Sequence, residues 1–254
     1  MVERHYSETL YSEIADRYDA TRWQGKGIFI DALQKKLLYR ILEEENIALG
    51  NSILDIGAGT GRFIFPLREA GYAMYGIDIS ERMIKIAKSK AKGETLNLIT
   101  ANAKAIPFKD STFNCVISYR TLIHIPAYKG VVKEISRVLK PDGIAILEFN
   151  NKFSISTLGK VRRGLRRILK ASSVISDPQV VSYSELHKSC LGTDLKLEKI
   201  HRQFFISEVF LRKSPAKSLK ILEKIDTQLS RCRLTKLFAT RLIVVFKKCI
   251  AQHN

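Results

Sequence analysis

The chain has 254 residues, of which 45% are hydrophobic, and its formal net charge at neutral pH is +18. A chain of this length and apolar content can build a sizeable core, which excludes an intrinsically disordered protein and fits one domain with an elaboration. The charge is uneven, because residues 149–254 hold 22 Lys and Arg against 7 Asp and Glu, whereas residues 1–148 hold 21 against 18. This asymmetry predicts an anionic partner for the second part.

Secretion, membrane insertion and metal chemistry are not expected. The N-terminal run Met1-Val2-Glu3-Arg4-His5 is charged and no apolar run follows it, so no signal peptide is predicted. No apolar run reaches the 18 residues of a membrane-spanning helix. The four cysteines lack C-x-x-C spacing, so neither a metal site nor a disulfide is expected. The predicted location is cytoplasmic.

Two helical patterns, at residues 7–19 and 26–46, come before the first strand. The next stretch, residues 52–63, reads Ser-Ile-Leu-Asp-Ile-Gly-Ala-Gly-Thr-Gly-Arg-Phe, which predicts an apolar strand at 52–56, a glycine turn and the start of a helix. Glycines at such a corner permit positive φ and let a ligand approach the main chain. The dinucleotide motif G-x-G-x-x-G needs a third glycine where this chain has Arg62, so NAD is not expected.

A second predicted strand, residues 72–77, runs into Asp78, 21 positions after Gly57. An acid at about this spacing can accept hydrogen bonds from a ribose diol. The alternative is that Asp78 caps the following helix, for which Ser80 is better suited. We expect Met83 to pack either on the adenine face of a ligand or in the hydrophobic core.

The following elements continue the alternation of strand and helix. The patterns predict a helix at 82–91, strands at 96–100 and 113–118, a helix at 131–139, a Pro-containing turn and a strand at 144–149. Five strands that alternate with helices predict a right-handed, doubly wound parallel sheet.

Taken together, these motifs resemble the class I S-adenosylmethionine-dependent methyltransferases, in the group called methyltransferase domain 11 that includes quinone and other small-molecule enzymes. The resemblance covers residues 8–150. Its motifs are D-x-G-x-G-x-G at 55–61, the adenine segment at 101–108, the fourth motif at 113–118 and the segment that follows it at 137–143. The resemblance implies an α/β, Rossmann-like, seven-stranded and mostly parallel sheet with a final antiparallel strand, and S-adenosylmethionine as the cofactor.

The resemblance also implies which residues contact the cofactor. The predicted set is Asp55, Gly57, Ala58, Gly59, Gly61, Asp78, Ile79, Met83, Asn102, Ala103 and Ser118. Asn102 stands where the family commonly has an acid, yet an amide both donates and accepts, so it can still meet the adenine edge.

The candidates for catalysis lie in the loop after the fourth strand, where ligands of open parallel sheets bind. His124 titrates near neutral pH and is a candidate general base, with a structural hydrogen bond as the alternative, and Tyr119 is a second candidate. Methyl transfer from a sulfonium mainly requires positioning, which fits a sequence without a nucleophile triad.

The chain divides into a helical lead-in or lid at 1–50, a cofactor-binding core at 51–150, and basic insertions with the last strands at 151–254. In the third part we predict a helix at 183–191, strands at 195–206 and 239–246, and basic amphipathic helices at 158–170 and 212–224. All three parts are expected to form a single domain.

The predicted function is methyl transfer to a small or lipid-like acceptor, such as a quinone precursor or a lipid-linked glycan, with residues 158–170 in peripheral contact with anionic membrane. One alternative is a tRNA-modifying methyltransferase, because residues 19–23 resemble a segment of tRNA wobble-uridine methyltransferases and the basic part suits phosphates. Another is a nucleotide-binding scaffold without activity. The oligomeric state and the accepting atom are not predicted.

Overall fold

A computed structural model describes residues 2–24, 27–125, 128–154, 179–205, 216–231 and 238–249. The strands are β1 (Ser52–Ile56), β2 (Ala73–Asp78), β3 (Asn97–Thr100), β4 (Phe113–Ser118), β5 (Leu139–Asn151), β6 (Val180–Val181), β7 (Leu195–Gln203) and β8 (Arg241–Lys248). The helices are α1 (Val2–Arg22), α2 (Gly27–Glu44), α3 (Ile64–Glu69), α4 (Glu81–Lys90), α5 (Lys129–Val138), α6 (Tyr183–Ser189) and α7 (Ala216–Arg231), with a 3₁₀ helix at Leu122–His124.

The strands form one sheet in the order β3-β2-β1-β4-β5-β8-β7, and β6 pairs with the end of β5. β8 runs antiparallel to β5 and β7, and the other pairs are parallel. The predicted doubly wound, mostly parallel sheet with a final antiparallel strand is confirmed. The two-residue β6 adds an eighth strand that the sequence does not predict.

Apolar side chains cover both faces of the sheet, as the alternation along a strand requires. In β1, Ile53 belongs to one apolar cluster, while Leu54 and Ile56 belong to the other. Helices α2, α3 and α4 contribute to the first cluster, and α5 contributes to the second. The result is a three-layer α/β/α arrangement.

The strand order reverses between β1 and β4. Strands β2 and β3 lie on one side of β1, whereas β4 and β5 lie on its other side. A crevice forms at such a point, outside the carboxyl ends of the strands, and ligands of open α/β sheets bind there. The glycine turn after β1 and the loop after β4 both reach this crevice.

Several predicted boundaries need correction. β5 begins at Leu139 rather than at residue 144, because Leu139 already pairs with Phe113 before a register shift. The predicted strand 195–206 ends at Gln203 as β7, and the predicted helix 212–224 corresponds to α7, which extends to Arg231. The basic segment 158–170 lies outside the described residues. In the described part of the chain, no helix is long and apolar enough to span a membrane.

Candidate active site

A cavity of about 240 Å³ opens at the carboxyl ends of β1 to β4, with α1 on its outer side. Nine of the predicted site residues line it: Gly57, Gly59, Asp78, Ile79, Met83, Asn102, Ala103, Tyr119 and His124. The structure therefore brings to one cavity residues that lie between positions 57 and 124 of the chain.

The glycine turn at one end of the cavity is fixed to β2, because the N–H groups of Gly57 and Ala58 donate to the carbonyl of Ile77 at 2.8 and 3.0 Å. Gly57 has a φ of +80°, and a Cβ there would lie 1.9 Å from the Thr121 hydroxyl. Gly59 has a φ of +53°, and a Cβ there would meet only the Gly57 carbonyl, at 3.9 Å. Gly59 therefore borders open space that a ligand can fill.

Asp78 links the end of β2 to this turn. Its Oδ2 accepts a 2.9 Å hydrogen bond from the Gly59 N–H, and its Oδ1 accepts one of 2.9 Å from Ser80 N–H. Ser80 is the N-cap of α4, because its hydroxyl accepts the Met83 N–H at 3.3 Å. Burial raises the pKa of the Asp78 carboxyl, and the backbone donors of Ser80, Gly59 and Ile79 oppose that rise. The capping role thus belongs to Ser80, while a ribose contact by Asp78 stays a prediction.

Asn102 and Ala103, which follow β3, also line the cavity. The Asn102 side-chain oxygen accepts the Lys104 N–H at 2.9 Å, which shapes the turn. The amide NH₂ of Asn102 is then the group that can donate to a ligand.

Four predicted cofactor residues lie behind the cavity rather than on its wall: Asp55, Ala58, Gly61 and Ser118. Ser118 donates to the Ile56 carbonyl at 3.0 Å, and a Cβ on Gly61 would lie 2.5 Å from the Phe65 ring. Asp55 is 2% exposed, and burial, with a smaller effect of Asp78, raises its pKa to about 7 against the opposing charge of Arg62. These residues support the turn, and a direct cofactor contact by them stays a prediction.

His124 ends the 3₁₀ helix, and its ring packs edge-on against Tyr11 at a centroid distance of 5.8 Å. Burial lowers the pKa of His124 to about 4, and the cations Arg120, Arg241 and Arg22 contribute to this lowering. The imidazole is therefore neutral at pH 7.

Tyr119 presents its ring rather than its hydroxyl to the cavity wall. The ring packs on Phe63 at a centroid distance of 4.7 Å, and the buried hydroxyl has no hydrogen-bond partner in the described part of the chain. Burial raises the pKa of Tyr119 well above its ordinary value. Its phenol stays protonated.

The helix α1 closes the outer side of the cavity, which Tyr11 and Tyr18 line. Four polar contacts, made by three residues of α1, tie this helix to the core. Ser12 and Ser80 share a hydrogen bond at 3.0 Å. Asp16 forms an ion pair with Arg82, and Asp19 accepts from the Thr60 hydroxyl at 2.5 Å and pairs with Lys90.

Comparison with known proteins decides the family. A family model described as a methyltransferase domain matches residues 54–147, which include the glycine turn, Asp78, Asn102 and the loop after β4. Residues 54–147 are therefore a methyltransferase domain, of the class I S-adenosylmethionine-dependent kind that the sequence motifs indicate. This finding confirms the family and, with it, the cofactor that the sequence motifs predict.

Relatives of this methyltransferase domain include quinone enzymes. A demethylmenaquinone methyltransferase of Geobacillus stearothermophilus is 36% identical over 112 residues, which are 42% of this chain and 48% of the relative. Another, of Tropheryma whipplei (strain Twist), is 29% identical over 178 residues, covering 68% of this chain and 72% of the relative. The chain spans about half the length of most of the curated relatives it matches.

Among solved structures, the fold matches the magnesium protoporphyrin IX methyltransferase of Synechocystis, a crystal structure with bound SAH. The TM-score is 0.67 at 16% sequence identity, over 97% of this chain and 99% of that chain. At this identity the likeness establishes the fold.

One feature of this methyltransferase domain is not predicted from the sequence, a buried polar network that joins the turn to α2. Arg62 donates to Asp31 at 2.6 Å and to the Gln34 side-chain oxygen at 2.7 Å. Gln34 donates to Glu148 at 3.2 Å, and Glu148 forms an ion pair with Arg241 at 3.3 Å. The one signal in the sequence is an acid, Glu148, inside the apolar run of β5.

Proposed function

We propose that the chain transfers a methyl group from S-adenosylmethionine to a small or lipid-like acceptor of the quinone-precursor class. The observation that carries the proposal is the cavity itself, which joins the turn at Gly59 and the carboxylate of Asp78 to an aromatic wall at the end of β4. The demethylmenaquinone methyltransferases among the relatives support the acceptor class.

Each end of the cavity has its own task in this proposal. When bound, S-adenosylmethionine supplies a methyl group that is already activated by the sulfonium charge. Asp78 and Asn102 hold the nucleoside, and the backbone around Gly59 receives the amino-acid end. The protein then contributes chiefly by aligning the acceptor with the methyl carbon, which lowers the barrier by several kcal/mol.

The acceptor in this proposal lies between α1 and the loop after β4. Tyr11 and Tyr18 supply aromatic surface, and Ile125 supplies an aliphatic contact. These side chains also exclude water from the reacting atoms. His124, neutral at pH 7, is in the form that accepts a proton from the acceptor.

We also propose peripheral contact with anionic membrane, through α7. Ile221 and Ile225 are 62% and 42% exposed one turn apart, and the exposed Lys220 and Lys224 are adjacent to them. Two acids of α7 are engaged on its inner side: Glu223 lies 3.6 Å from Lys36, and Asp226 accepts the backbone N–H groups of two residues after β7. The outer face therefore combines apolar and cationic side chains, which suits a lipid interface.

Two measurements test the methyltransferase function. Isothermal titration with S-adenosylhomocysteine should show binding with a 1:1 ratio, and its absence would exclude the cofactor site and leave only a scaffold. Labelled S-adenosylmethionine should then transfer radioactivity into a total lipid extract and not into total tRNA. Labelling of tRNA alone would reject the lipid-like acceptor and favour the RNA alternative.

A further inference from the structure

The charged side chains that line the cavity are unevenly placed. Within the described part of the chain they are Asp78 at the end of β2, Lys104 after β3 and Arg120 after β4. The first two lie at the end proposed for the nucleoside. Arg120 lies on the loop after β4, together with His124 and Ile125, which also line the cavity.

The backbone and a neighbouring ring hold Arg120 in place. Its φ is +60°, a left-handed conformation that non-glycine residues rarely adopt and that is found disproportionately at functional sites. Its guanidinium carbon lies 5.9 Å from the centre of the Trp23 ring, on which the Arg62 guanidinium also stacks at 3.7 Å. Trp23 is thus a common neighbour of Arg120 and Arg62.

Two more cations act on His124. Arg22 at the end of α1 and Arg241 at the start of β8 both exert a repulsive effect on a proton at His124, in the same direction as Arg120. Arg241 forms an ion pair with Glu148 at 3.3 Å and donates a hydrogen bond to Asn150, the residue with which it pairs in the sheet. Cations from three separate elements therefore act on His124, and of these Arg120 lines the cavity.

We propose that the acceptor carries an anionic oxygen group, a carboxylate or a phosphate, and that Arg120 binds this group. The inference rests on the proposed function, because the cofactor's position defines which end receives the acceptor. A guanidinium offers two parallel N–H donors that match a carboxylate or phosphate. The aromatic side chains Tyr11 and Tyr18 then contact the ring of the acceptor, and the anionic group determines its orientation.

The test uses two probes of the same shape and different charge, 2-naphthoate and 2-naphthamide. Protein saturated with S-adenosylhomocysteine is titrated with each probe in a calorimeter. The parent should bind the naphthoate at least tenfold more tightly than the amide, and Arg120→Gln should remove that preference. Arg40→Gln is the matched control, because Arg40 is an exposed arginine of α2 outside the cavity lining, and it should keep the preference.

Other outcomes overturn the proposal. Equal binding of the two probes by the parent, no binding of the naphthoate, or an unchanged preference in Arg120→Gln would each reject an acceptor anion site. A tenfold loss of S-adenosylhomocysteine affinity in Arg120→Gln, with unchanged affinity for 5′-methylthioadenosine, would assign Arg120 to the cofactor's carboxylate instead. Failure of the parent to bind S-adenosylhomocysteine, measured first, would reject the proposed function separately. Circular dichroism confirms that each variant is folded.

Discussion

Gly57, Gly59 and Gly61 all have positive φ, yet their surroundings differ. Thr121 fills the space beside Gly57, and the Phe65 ring fills the space beside Gly61. A side chain at either position would collide with the protein itself. At Gly59 the same space belongs to the cavity, so a side chain there would collide with a bound ligand.

We therefore expect Gly59→Ala to lower the affinity for S-adenosylhomocysteine at least tenfold, measured by calorimetry, while the protein stays folded. The left-handed backbone alone costs an alanine about 1 kcal/mol of stability. Gly192→Ala controls for that cost, because Gly192 also has positive φ (+76°) and a Cβ added there would have no neighbour within 4 Å. Equal affinity of Gly59→Ala and Gly192→Ala would contradict the assignment of this space to the cofactor.

The helix α7 is the element whose exposed face lacks an explanation within the described fold. Each cation close to an anionic leaflet contributes up to about 1 kcal/mol of binding. Replacing Lys220 and Lys224 by Gln should therefore weaken sedimentation with vesicles of phosphatidylserine and phosphatidylcholine, up to roughly 30-fold.

The same two substitutions at Lys85 and Lys88, exposed on α4, remove equal charge from another surface and should leave sedimentation unchanged. If the parent does not sediment with these vesicles at low or physiological salt, the membrane contact is wrong.

Sequence patterns predict the bounds of an element well where neighbouring residues alone determine them. β1 and β4 have the predicted bounds, because each is an apolar run between turn residues. β6 is not predicted because two residues leave no periodic pattern, and β5 is longer than predicted because its first pairing depends on Phe113. The spacing of the motifs also predicts that Gly59, Asp78 and Asn102 lie in one crevice.

The remainder of the site depends on contacts between distant parts of the chain, which spacing does not encode. Arg62 meets Asp31 and Gln34 across 31 and 28 positions, and Gln34 meets Glu148 across 114. Asp55 matches the family motif, yet only the packing of neighbouring strands shows that its carboxyl lies behind the cavity.

At the scale of the whole molecule, the buried acid Asp55 links folding to pH. Its pKa is about 7 in the folded protein against 3.8 for an unperturbed carboxyl, so the folded state holds this proton more tightly. The resulting stabilisation is complete below about pH 4 and is lost as the pH rises to about 7. The rise in pKa corresponds to roughly 4 kcal/mol of unfolding free energy.

Asp55→Asn abolishes this titration, so its unfolding free energy relative to the parent should increase by up to about 4 kcal/mol between pH 4 and pH 8. Denaturant titration at several pH values measures this difference in unfolding free energy. The contributions of the carboxylates that both proteins share cancel in the difference. A flat difference for Asp55→Asn would mean that the buried carboxyl is ionised throughout, and that the charge of Arg62 outweighs the cost of burial.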